Sequence, residues 1–351
     1  MKKKYDLVIY IGRFQPIHRG HVETIRRASA LAKEVLVLVG SATGPRTIKN
    51  PWTYIEREEM IRDACRFVHD LHIDGVDDYQ YNDNKWITTV GEKVNKIAKS
   101  RGLENIAVIG HDKDHSSYYL NFFPQWKYER MPAYPSENDR IDSTKIRELM
   151  FSNNYLFTFS VMPVPVFGKN DPISNLKTLG VFDDLQKEWD FVQDYKKQWS
   201  ASPYEPTFVT VDAVVEQSGH VLLIERGGFP GKGQWAMPGG FIDINEKLVD
   251  CVVRELREET GLKVPEKVLR GSIIARDVFD DPLRSTRGRT ITHAFYFKLD
   301  DSAELPRVKG GDDAVKAKWI SLADFEEMQS VMYEDHFAIM KNMLNRQPQQ
   351  R

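Results

Sequence analysis

The chain has 351 residues, of which 41% are hydrophobic, and carries a formal net charge of -2 at pH 7. This length exceeds what one hydrophobic core usually organises, so we expect two domains. The composition lacks the basic excess of a general nucleic-acid binder, and no stretch approaches the roughly 18 apolar residues of a membrane span.

The first residues and the cysteines indicate a cytoplasmic protein. The apolar run after MKKK is interrupted by GRFQP and is too short for the core of a secretory signal. Cys65 and Cys251 lie far apart in helix-like patterns, with neither a disulfide framework nor a zinc spacing. We therefore expect both cysteines to be packing residues in a reducing compartment, and the sequence leaves monomer and homo-oligomer open.

The N-terminal half alternates short apolar runs with helical patterns. DLVIYI (6–11), VLVLVG (35–40) and IAVIG (106–110) have the β-branched character of parallel strands covered on both faces. Apolar residues between them recur at helical spacing, as in YIEREEMIRDACRFV. The alternation predicts a doubly wound α/β domain with a parallel sheet over residues 1–180.

The pattern of residue types changes in the second half of the chain. Residues 181–206 combine a charged, aromatic-rich helical pattern with the proline-containing ASPYEP, which predicts a connecting helix and a linker. Residues 207–345 contain several β-rich runs and one strong helical stretch at 246–260. This pattern predicts an α+β domain with a mixed sheet flanked by helices.

The segment GRFQPIHRGH (12–21) places polar side chains between a strand and a probable helix. Ligands of open α/β sheets bind at this edge, and a helix start attracts anions. Gly12 and Gly20 would let the backbone approach a phosphate, His18 and His21 could donate to its oxygens, and Arg13 adds a fixed charge. A turn with surface histidines is the alternative interpretation.

A second segment shifts the balance toward phosphate binding. IDSTKIR places Ser143, Thr144 and Arg147 at another probable helix start. Two separate anion-binding helix starts predict a polyphosphate ligand.

GRFQPIHRGH, VGSA, NPWTYIEREEMI and IDSTKIR together resemble the HxGH nucleotidyltransferases, and more narrowly the archaeal-type nicotinamide mononucleotide (NMN) adenylyltransferases. Asp142 departs from the usual ISSTxxR pattern. The resemblance implies a Rossmann-like domain in which NMN attacks the α-phosphorus of ATP, giving NAD and pyrophosphate. His18 and His21 would contact the α/β phosphates, Arg147 the β/γ phosphates, and Arg13 the reacting charge, with Mg²⁺ held largely by the triphosphate.

The remaining ligand contacts of this domain follow from the resemblance for Trp86 and from the position after a strand for His111 and Asp112. Trp86 is a candidate for stacking on the nicotinamide ring, with an ordinary core tryptophan as the alternative. His111 and Asp112 follow the IAVIG strand and are expected to line the nucleotide pocket.

In RELREETG, Glu255, Glu258 and Glu259 stand at i, i+3 and i+4, which places three carboxylates on one helical face. Such a cluster suits Mg²⁺ or Mn²⁺ together with a diphosphate, although glutamate-rich helices are usually solvated faces. Together with Gly240, Glu246 and Arg254, the spacing matches the Nudix box at every defined position.

The segment is identified as part of a Nudix hydrolase domain. The resemblance implies that these glutamates bind the metal ions that activate water for attack on a diphosphate. Arg254 would orient the glutamates, and Gly240 and Gly261 would shape the loop and the helix end. The arginine-rich segment 276–297 resembles ADP-ribose pyrophosphatases. The candidates for a separate base are four aspartates, for which ordinary loop and turn residues are the favoured alternative: Asp280, Asp281, Asp312 and Asp313.

The combined interpretation is a bifunctional enzyme resembling the fused NMN adenylyltransferase/Nudix proteins of bacteria. The first domain would make NAD from ATP and NMN, and the second would hydrolyse ADP-ribose to AMP and ribose 5-phosphate. Its partners would be small nucleotides, with no nucleic acid or membrane. Alternatives are another phosphorylated acceptor for the first domain, and for the second another nucleoside diphosphate substrate or a ligand-sensing role.

Overall fold

The computed structural model describes residues 3–111, 122–131, 142–152 and 172–346. The chain divides into two compact units, Met1–Gln186 and Lys187–Arg351. Within the described ranges, no helix has the length and apolar character needed to cross a bilayer.

The first unit is an α/β domain built on five parallel strands. The strands are β1 (Tyr5–Gly12), β2 (Ala32–Val39), β3 (Leu71–Gly75), β4 (Ile106–Gly110) and β5 (Lys127–Arg130). The helices are α1 (Arg19–Leu31), α2 (Tyr54–Ala64), α3 (Asp83–Arg101), α4 (Ser143–Phe151) and α5 (Pro172–Thr178). The strand order is β3-β2-β1-β4-β5, and each neighbouring pair is parallel. This confirms the predicted doubly wound sheet.

The order of strands defines where a ligand can bind. The chain winds to one side of β1 through β2 and β3, and to the other side through β4 and β5. The carboxyl ends of β1 and β4 therefore lie side by side where the winding direction reverses, which is the ligand-binding position of open α/β sheets. Gly12 pairs with Val39 and Tyr10 pairs with Ile109 at this edge.

The helix α6 (Phe182–Lys197) spans the division between the units, so the second unit begins within this helix. Its strands are β6 (Thr207–Gln217), β7 (His220–Arg226), β8 (Trp235–Ala236), β9 (Gly239–Phe241), β10 (Ile273–Phe279), β11 (Arg289–Lys298) and β12 (Ala314–Ser321). Its helices are α7 (Leu248–Thr260), α8 (Glu266–Gly271), α9 (Leu322–Glu326) and α10 (His336–Leu344).

These strands form one mixed sheet in the order β10-β11-β6-β7-β12, with β8 and β9 paired to β7 and β6. β6 and β11 are parallel, whereas the other pairs are antiparallel. The apolar face of α7, including Cys251, Val252 and Leu256, packs with alternate residues of β6 and β7 in the core. Helices flanking a mixed sheet confirm the predicted architecture, and both cysteines are buried thiols.

Candidate active sites

His18 and His21 meet at the start of α1. His18 is the N-cap of the helix and is buried, and the two imidazole rings stack with centroids 3.7 Å apart. The backbone N–H of His18 donates to Nδ1 of His21 at 3.3 Å. Because Nδ1 of His21 accepts this bond, the neutral ring carries its proton on Nε2.

The structure supplies a local reason for Gly12. A Cβ atom at this position would lie 3.1 Å from the Phe14 ring. That ring lies 4.7 Å from His21 and meets Tyr10 edge-on at 5.4 Å, measured between centroids. Gly12 therefore makes room for the side chain that supports His21. Gly20 lies in the first turn of α1, where its carbonyl accepts the Thr24 hydroxyl at 3.0 Å.

Gln15 and Trp52 join two of the sequence motifs. The Gln15 amide donates to the Trp52 carbonyl at 2.8 Å and accepts the Trp52 backbone N–H at 3.1 Å. Both residues are buried, and the indole of Trp52 donates to the carbonyl of Pro172 at 3.1 Å. The segments GRFQP and NPWT are therefore two sides of one buried contact.

Arg57 is a site residue to which the sequence analysis assigned no role. Its buried guanidinium donates to the carbonyls of Arg13 (2.7 Å), Gly40 (2.7 Å) and Ser41 (2.9 Å), and to that of Thr53 (3.2 Å). It thus ties the loops after β1 and β2 to the start of α2. The sequence did contain a signal for this role. Helical periodicity places Arg57 on the same face of α2 as the buried Met60, Ile61 and Ala64, where an arginine is unusual.

Helix α4 brings Arg147 to the same loop. Arg147 is buried and donates to the Gln15 carbonyl at 2.6 Å and to the Thr144 hydroxyl at 3.2 Å. Ser143 donates to the carbonyl of Pro16 at 3.1 Å. The N-cap is Asp142, whose carboxylate accepts the Thr144 backbone N–H at 2.6 Å. The residue that departs from the family pattern therefore caps the helix.

Positive charge is concentrated around this loop. Burial, together with the charge of the exposed Arg13, lowers the pKa of Arg57 and the pKa of Arg147 to about 10 each. The nearby Asp78 carboxylate is bonded to the N–H (3.1 Å) and hydroxyl (2.6 Å) of Ser41. The three guanidinium groups create a field that favours a highly charged anion.

The remaining candidates of this unit lie at other positions on the same sheet edge. Trp86 is in the first turn of α3, half-buried, and packs on the core with its ring centroid 6.0 Å from that of Phe123. His111 follows β4 directly and is half-buried. Asp112 lies outside the described residues.

In the second unit, Arg254 connects the carboxylates of the box. Its guanidinium forms a two-point ion pair with Glu246 (2.9 and 2.8 Å) and also bonds Glu255 (2.8 Å) and Glu258 (3.0 Å). The pairing with Arg254 lowers the pKa of Glu246 to about 2. This contact holds the loop before α7 against the helix.

Two of the three predicted ligands are buried and the third is exposed. Glu255 packs against Gly240, where a Cβ atom would lie 2.5 Å from its carboxyl oxygen. Glu259 accepts the Gly239 N–H at 2.8 Å, and burial raises its pKa to about 8. Burial also raises the pKa of Glu255. The Glu258 side chain is 49% exposed. Gly261 ends α7 at a positive φ of 59°.

This donor set fits a divalent cation in its chemistry. Burial raises the pKa of both Glu255 and Glu259, and the charge of Glu255 adds to the rise for Glu259, so a hard cation would offset charge that the protein leaves poorly compensated. As they stand, no three His, Cys, Asp or Glu side chains in the described ranges are arranged to hold a metal ion. Arg254 currently engages the oxygens of Glu255 and Glu258.

The candidates for a separate base occupy two different loops. Asp312 follows Gly311, whose N–H donates to the backbone carbonyl of Glu259 at 3.1 Å. The charge of Asp312 adds to the rise in the pKa of Glu255. Asp313 accepts the Gly227 N–H through its backbone carbonyl at 2.8 Å. In the other loop, Asp280 pairs with Arg289, and Asp281 accepts the Leu283 N–H.

A cleft of about 740 Å³ lies beside α7, on the side of α8. It shares Arg254 and Glu258 with the box and is also lined by Arg257, Lys263 and Arg270. The positive charge of Arg270 in this lining is partly neutralised, because Arg270 pairs with Asp250 and Glu266. The cleft is therefore a surface that a substrate of the box could occupy.

Comparisons with known proteins give the same division of the chain. Residues 9–149 match the cytidylyltransferase-like family, and residues 206–343 match the NUDIX domain. A nicotinamide/nicotinic acid mononucleotide adenylyltransferase of Acinetobacter baylyi is 34% identical over 205 residues, which is 57% of this chain and 98% of that protein. An ADP-ribose pyrophosphatase of Methanocaldococcus jannaschii is 35% identical over 136 residues, 39% of this chain and 72% of that protein.

Solved structures of one protein match both units at once. It is a bifunctional NMN adenylyltransferase/ADP-ribose pyrophosphatase of Francisella tularensis, crystallised with AMP and a manganese ion. The two structures align with a TM-score of 0.89 and 34% identity, over 97% of this chain and 98% of that chain. The chain therefore belongs to the family of bifunctional NMN adenylyltransferase/ADP-ribose pyrophosphatases.

Proposed function

We propose that residues 1–180 transfer AMP from ATP to NMN, giving NAD and pyrophosphate, and that residues 207–345 hydrolyse ADP-ribose to AMP and ribose 5-phosphate. Residues 181–206 would connect the two domains. The observation that carries this proposal is the full-length similarity to one bifunctional relative, combined with intact candidate residues in both units. The network around Arg254 favours hydrolysis over a purely ligand-sensing Nudix domain.

In the first reaction, the 5′-phosphate oxygen of NMN attacks the α-phosphorus of ATP while the bond to the β-phosphate oxygen breaks. The pyrophosphate leaves with its electron pair, so the protein has to position the reactants and neutralise charge. His18 and His21 would bind the α/β phosphates. Arg147 and Arg13 would bind the rest of the triphosphate, which also carries Mg²⁺.

The contacts of these residues support this assignment. The two imidazole rings stack, and the backbone N–H of His18 bonds Nδ1 of His21, so both rings are held together at the start of α1. Gly12, Gly20, Ser143 and Thr144 would form the backbone and hydroxyl part of the phosphate site. Trp86 would stack on the nicotinamide, and His111 with Asp112 would contact the nucleotide.

In the second reaction, water attacks the diphosphate of ADP-ribose and one phosphoanhydride bond breaks. Glu255, Glu258 and Glu259 would hold Mg²⁺ or Mn²⁺. A bound divalent cation lowers the pKa of a coordinated water and neutralises charge on the diphosphate. Arg254 holds Glu255 and Glu258 in place, and Asp312 is the base candidate whose charge contributes to the raised pKa of Glu255.

A pair of single variants tests whether each domain has its own chemistry. His18→Ala should lower adenylyl transfer by roughly 10²–10³-fold, because it removes a donor to the reacting phosphates, and should leave ADP-ribose hydrolysis unchanged. Glu258→Gln should do the converse. Both activities are measured by chromatography of products in the same preparations.

Exposed residues of the same types provide matched controls. His69→Ala and Glu327→Gln change exposed side chains away from both sites and should keep both activities. Loss of both activities in His18→Ala would contradict independent domains. Normal hydrolysis by Glu258→Gln would contradict the metal-site assignment.

A further inference from the structure

Residues 332–336, called here the C-terminal clasp, contact two separate parts of the second unit. The Tyr333 N–H donates to the carbonyl of Trp235 in β8 at 2.8 Å. Asp335 forms a buried two-point ion pair with Arg284, with both N···O distances at 2.9 Å. Trp235 lies shortly before β9, and Arg284 lies between β10 and β11. The clasp is therefore fixed in position by segments that are distant along the chain.

The clasp ends in a buried histidine, His336, which is the first residue of α10. The backbone N–H of Met237 donates to Nδ1 of His336 at 3.1 Å, and Nε2 lies 4.0 Å from the Asp212 carboxylate. Burial lowers the pKa of His336 to about 3, so the ring is neutral. Because Nδ1 accepts a hydrogen bond, the single ring proton is on Nε2 and faces Asp212.

The segment 237–239, which leads into β9, is held by backbone hydrogen bonds to three different elements. The Met237 N–H bonds the clasp. The Pro238 carbonyl accepts a backbone N–H of β6 at 2.8 Å. The Gly239 N–H donates to the Glu259 carboxylate of α7 at 2.8 Å. The bond to the clasp and the bond to a candidate metal ligand are therefore two residues apart on one short piece of backbone.

The same segment is packed closely against β6. A Cβ atom at Gly239 would lie 2.1 Å from the Val211 carbonyl oxygen and 2.8 Å from the Asp212 carboxylate. Asp212 is itself buried, and its other oxygen accepts the Thr292 hydroxyl. Because the backbone has no space on this side, a change in the bond at Met237 has to be taken up along the segment, including the N–H of Gly239.

We propose that His336 is a positioning residue for the hydrolase, which acts through the Met237 N–H to set the backbone that holds the Glu259 carboxylate in place for the divalent cation. This inference rests on the proposed hydrolase function. Loss of the acceptor would leave the Met237 N–H buried and unsatisfied, so the segment would move to find another partner. Residues that orient a metal ligand through a hydrogen bond typically change metal affinity or activity roughly 10- to 100-fold.

Two substitutions of His336 separate positioning from packing. The Oδ1 atom of an asparagine can occupy the place of Nδ1, whereas the amide of a glutamine reaches only the place of Nε2. His336→Gln should lower kcat for ADP-ribose hydrolysis roughly 10- to 100-fold at saturating Mn²⁺, with the KM for ADP-ribose within about threefold. His336→Asn should restore kcat to within about threefold of the unmodified protein. Both variants lose the ring, so thermal unfolding should shift similarly in the two.

His220→Gln is the matched control and should retain full hydrolysis, because His220 begins β7 and bonds the Ser218 carbonyl, away from β9. Equal turnover in the two His336 variants, whether high or low, would refute positioning. Hydrogen exchange at the Met237 amide should be slow in the unmodified protein and in His336→Asn, and fast in His336→Gln; slow exchange in all three would also refute it.

A measurement on the unmodified protein covers the case in which neither variant folds. Nitrogen-15 NMR of the labelled histidine ring should show the proton of His336 on Nε2. A proton on Nδ1 would remove the acceptor and refute the inference. Absence of ADP-ribose hydrolysis in the unmodified protein would instead refute the hydrolase assignment, whatever the state of this ring.

Discussion

Gly240→Ala should separate the activity of the second unit from its stability. A Cβ atom at this position would lie 2.5 to 2.7 Å from the carboxyl atoms of Glu255, whereas ordinary contact begins near 3.4 Å. The carboxyl group must therefore move by about 1 Å, a displacement that the end of a flexible side chain can make. The ion pair of Glu255 with Arg254, now 2.8 Å long, would also be disturbed.

The expected magnitudes differ for folding and for catalysis. Relief of the overlap by one side chain should cost about 1 kcal/mol of unfolding free energy, at the lower end of overpacking effects. A displacement of about 1 Å in a catalytic group can reduce turnover roughly 10²-fold. We therefore expect kcat for ADP-ribose hydrolysis to fall by about two orders of magnitude in a protein that is still folded.

The assay compares three proteins for hydrolysis, adenylyl transfer and thermal unfolding. Gly271→Ala is the matched control, because a Cβ atom there meets nothing within 4 Å. It should behave as the unmodified protein, and adenylyl transfer should be normal in all three. If Gly240→Ala retains hydrolysis within threefold, the observed position of Glu255 is not required and the metal-site interpretation is wrong.

Three further variants test other parts of the structure. Burial raises the pKa of Glu259 from 4.5 to about 8, so the folded state holds a proton that the unfolded chain releases, and stability should fall as pH rises through that window. Glu259→Gln should flatten the pH dependence of Tm measured without metal; an identical profile would contradict the buried carboxyl. Arg57→Lys cannot reach all four carbonyl partners and should lose about 2–3 kcal/mol in denaturant unfolding, together with adenylyl transfer; unchanged stability would contradict its linking role. Asp142→Ser keeps a cap while removing negative charge from the start of α4, so the KM for ATP should fall roughly two- to fivefold; an unchanged KM would argue against phosphate binding there.

In the first unit, the continuous apolar runs predicted the strands that are buried on both faces and missed β3 and β5. β1, β2 and β4 follow the predicted segments within a few residues, because burial on both faces demands uninterrupted β-branched sequence. β3 is half-buried along its whole length and β5 is mostly exposed, so neither has that signature. In β10 the polar pair Arg276 and Asp277 interrupts the apolar residues, and this strand was likewise not predicted.

Local spacing was informative about chemistry but not about burial. Helical periodicity placed Glu255, Glu258 and Glu259 on one side of α7, and the structure keeps them there. Only the packing of β9 against that helix decides that Glu255 and Glu259 are buried whereas Glu258 is exposed. The shift in the pKa of Glu259 is a consequence of that packing and has no signal in the sequence.

The sequence by itself determined the two motifs, the order of the domains and the family, because these depend on residue types at short spacings. The tertiary structure alone decided how distant segments meet. Gln15 pairs with Trp52, Arg57 binds the loops after β1 and β2, and Arg147 reaches the Gln15 carbonyl from α4. These contacts join segments that are far apart along the chain, and backbone carbonyls accept from any suitably placed donor. Residue identity therefore carries no record of such partners, and only the packing of the sheet brings them within hydrogen-bonding distance.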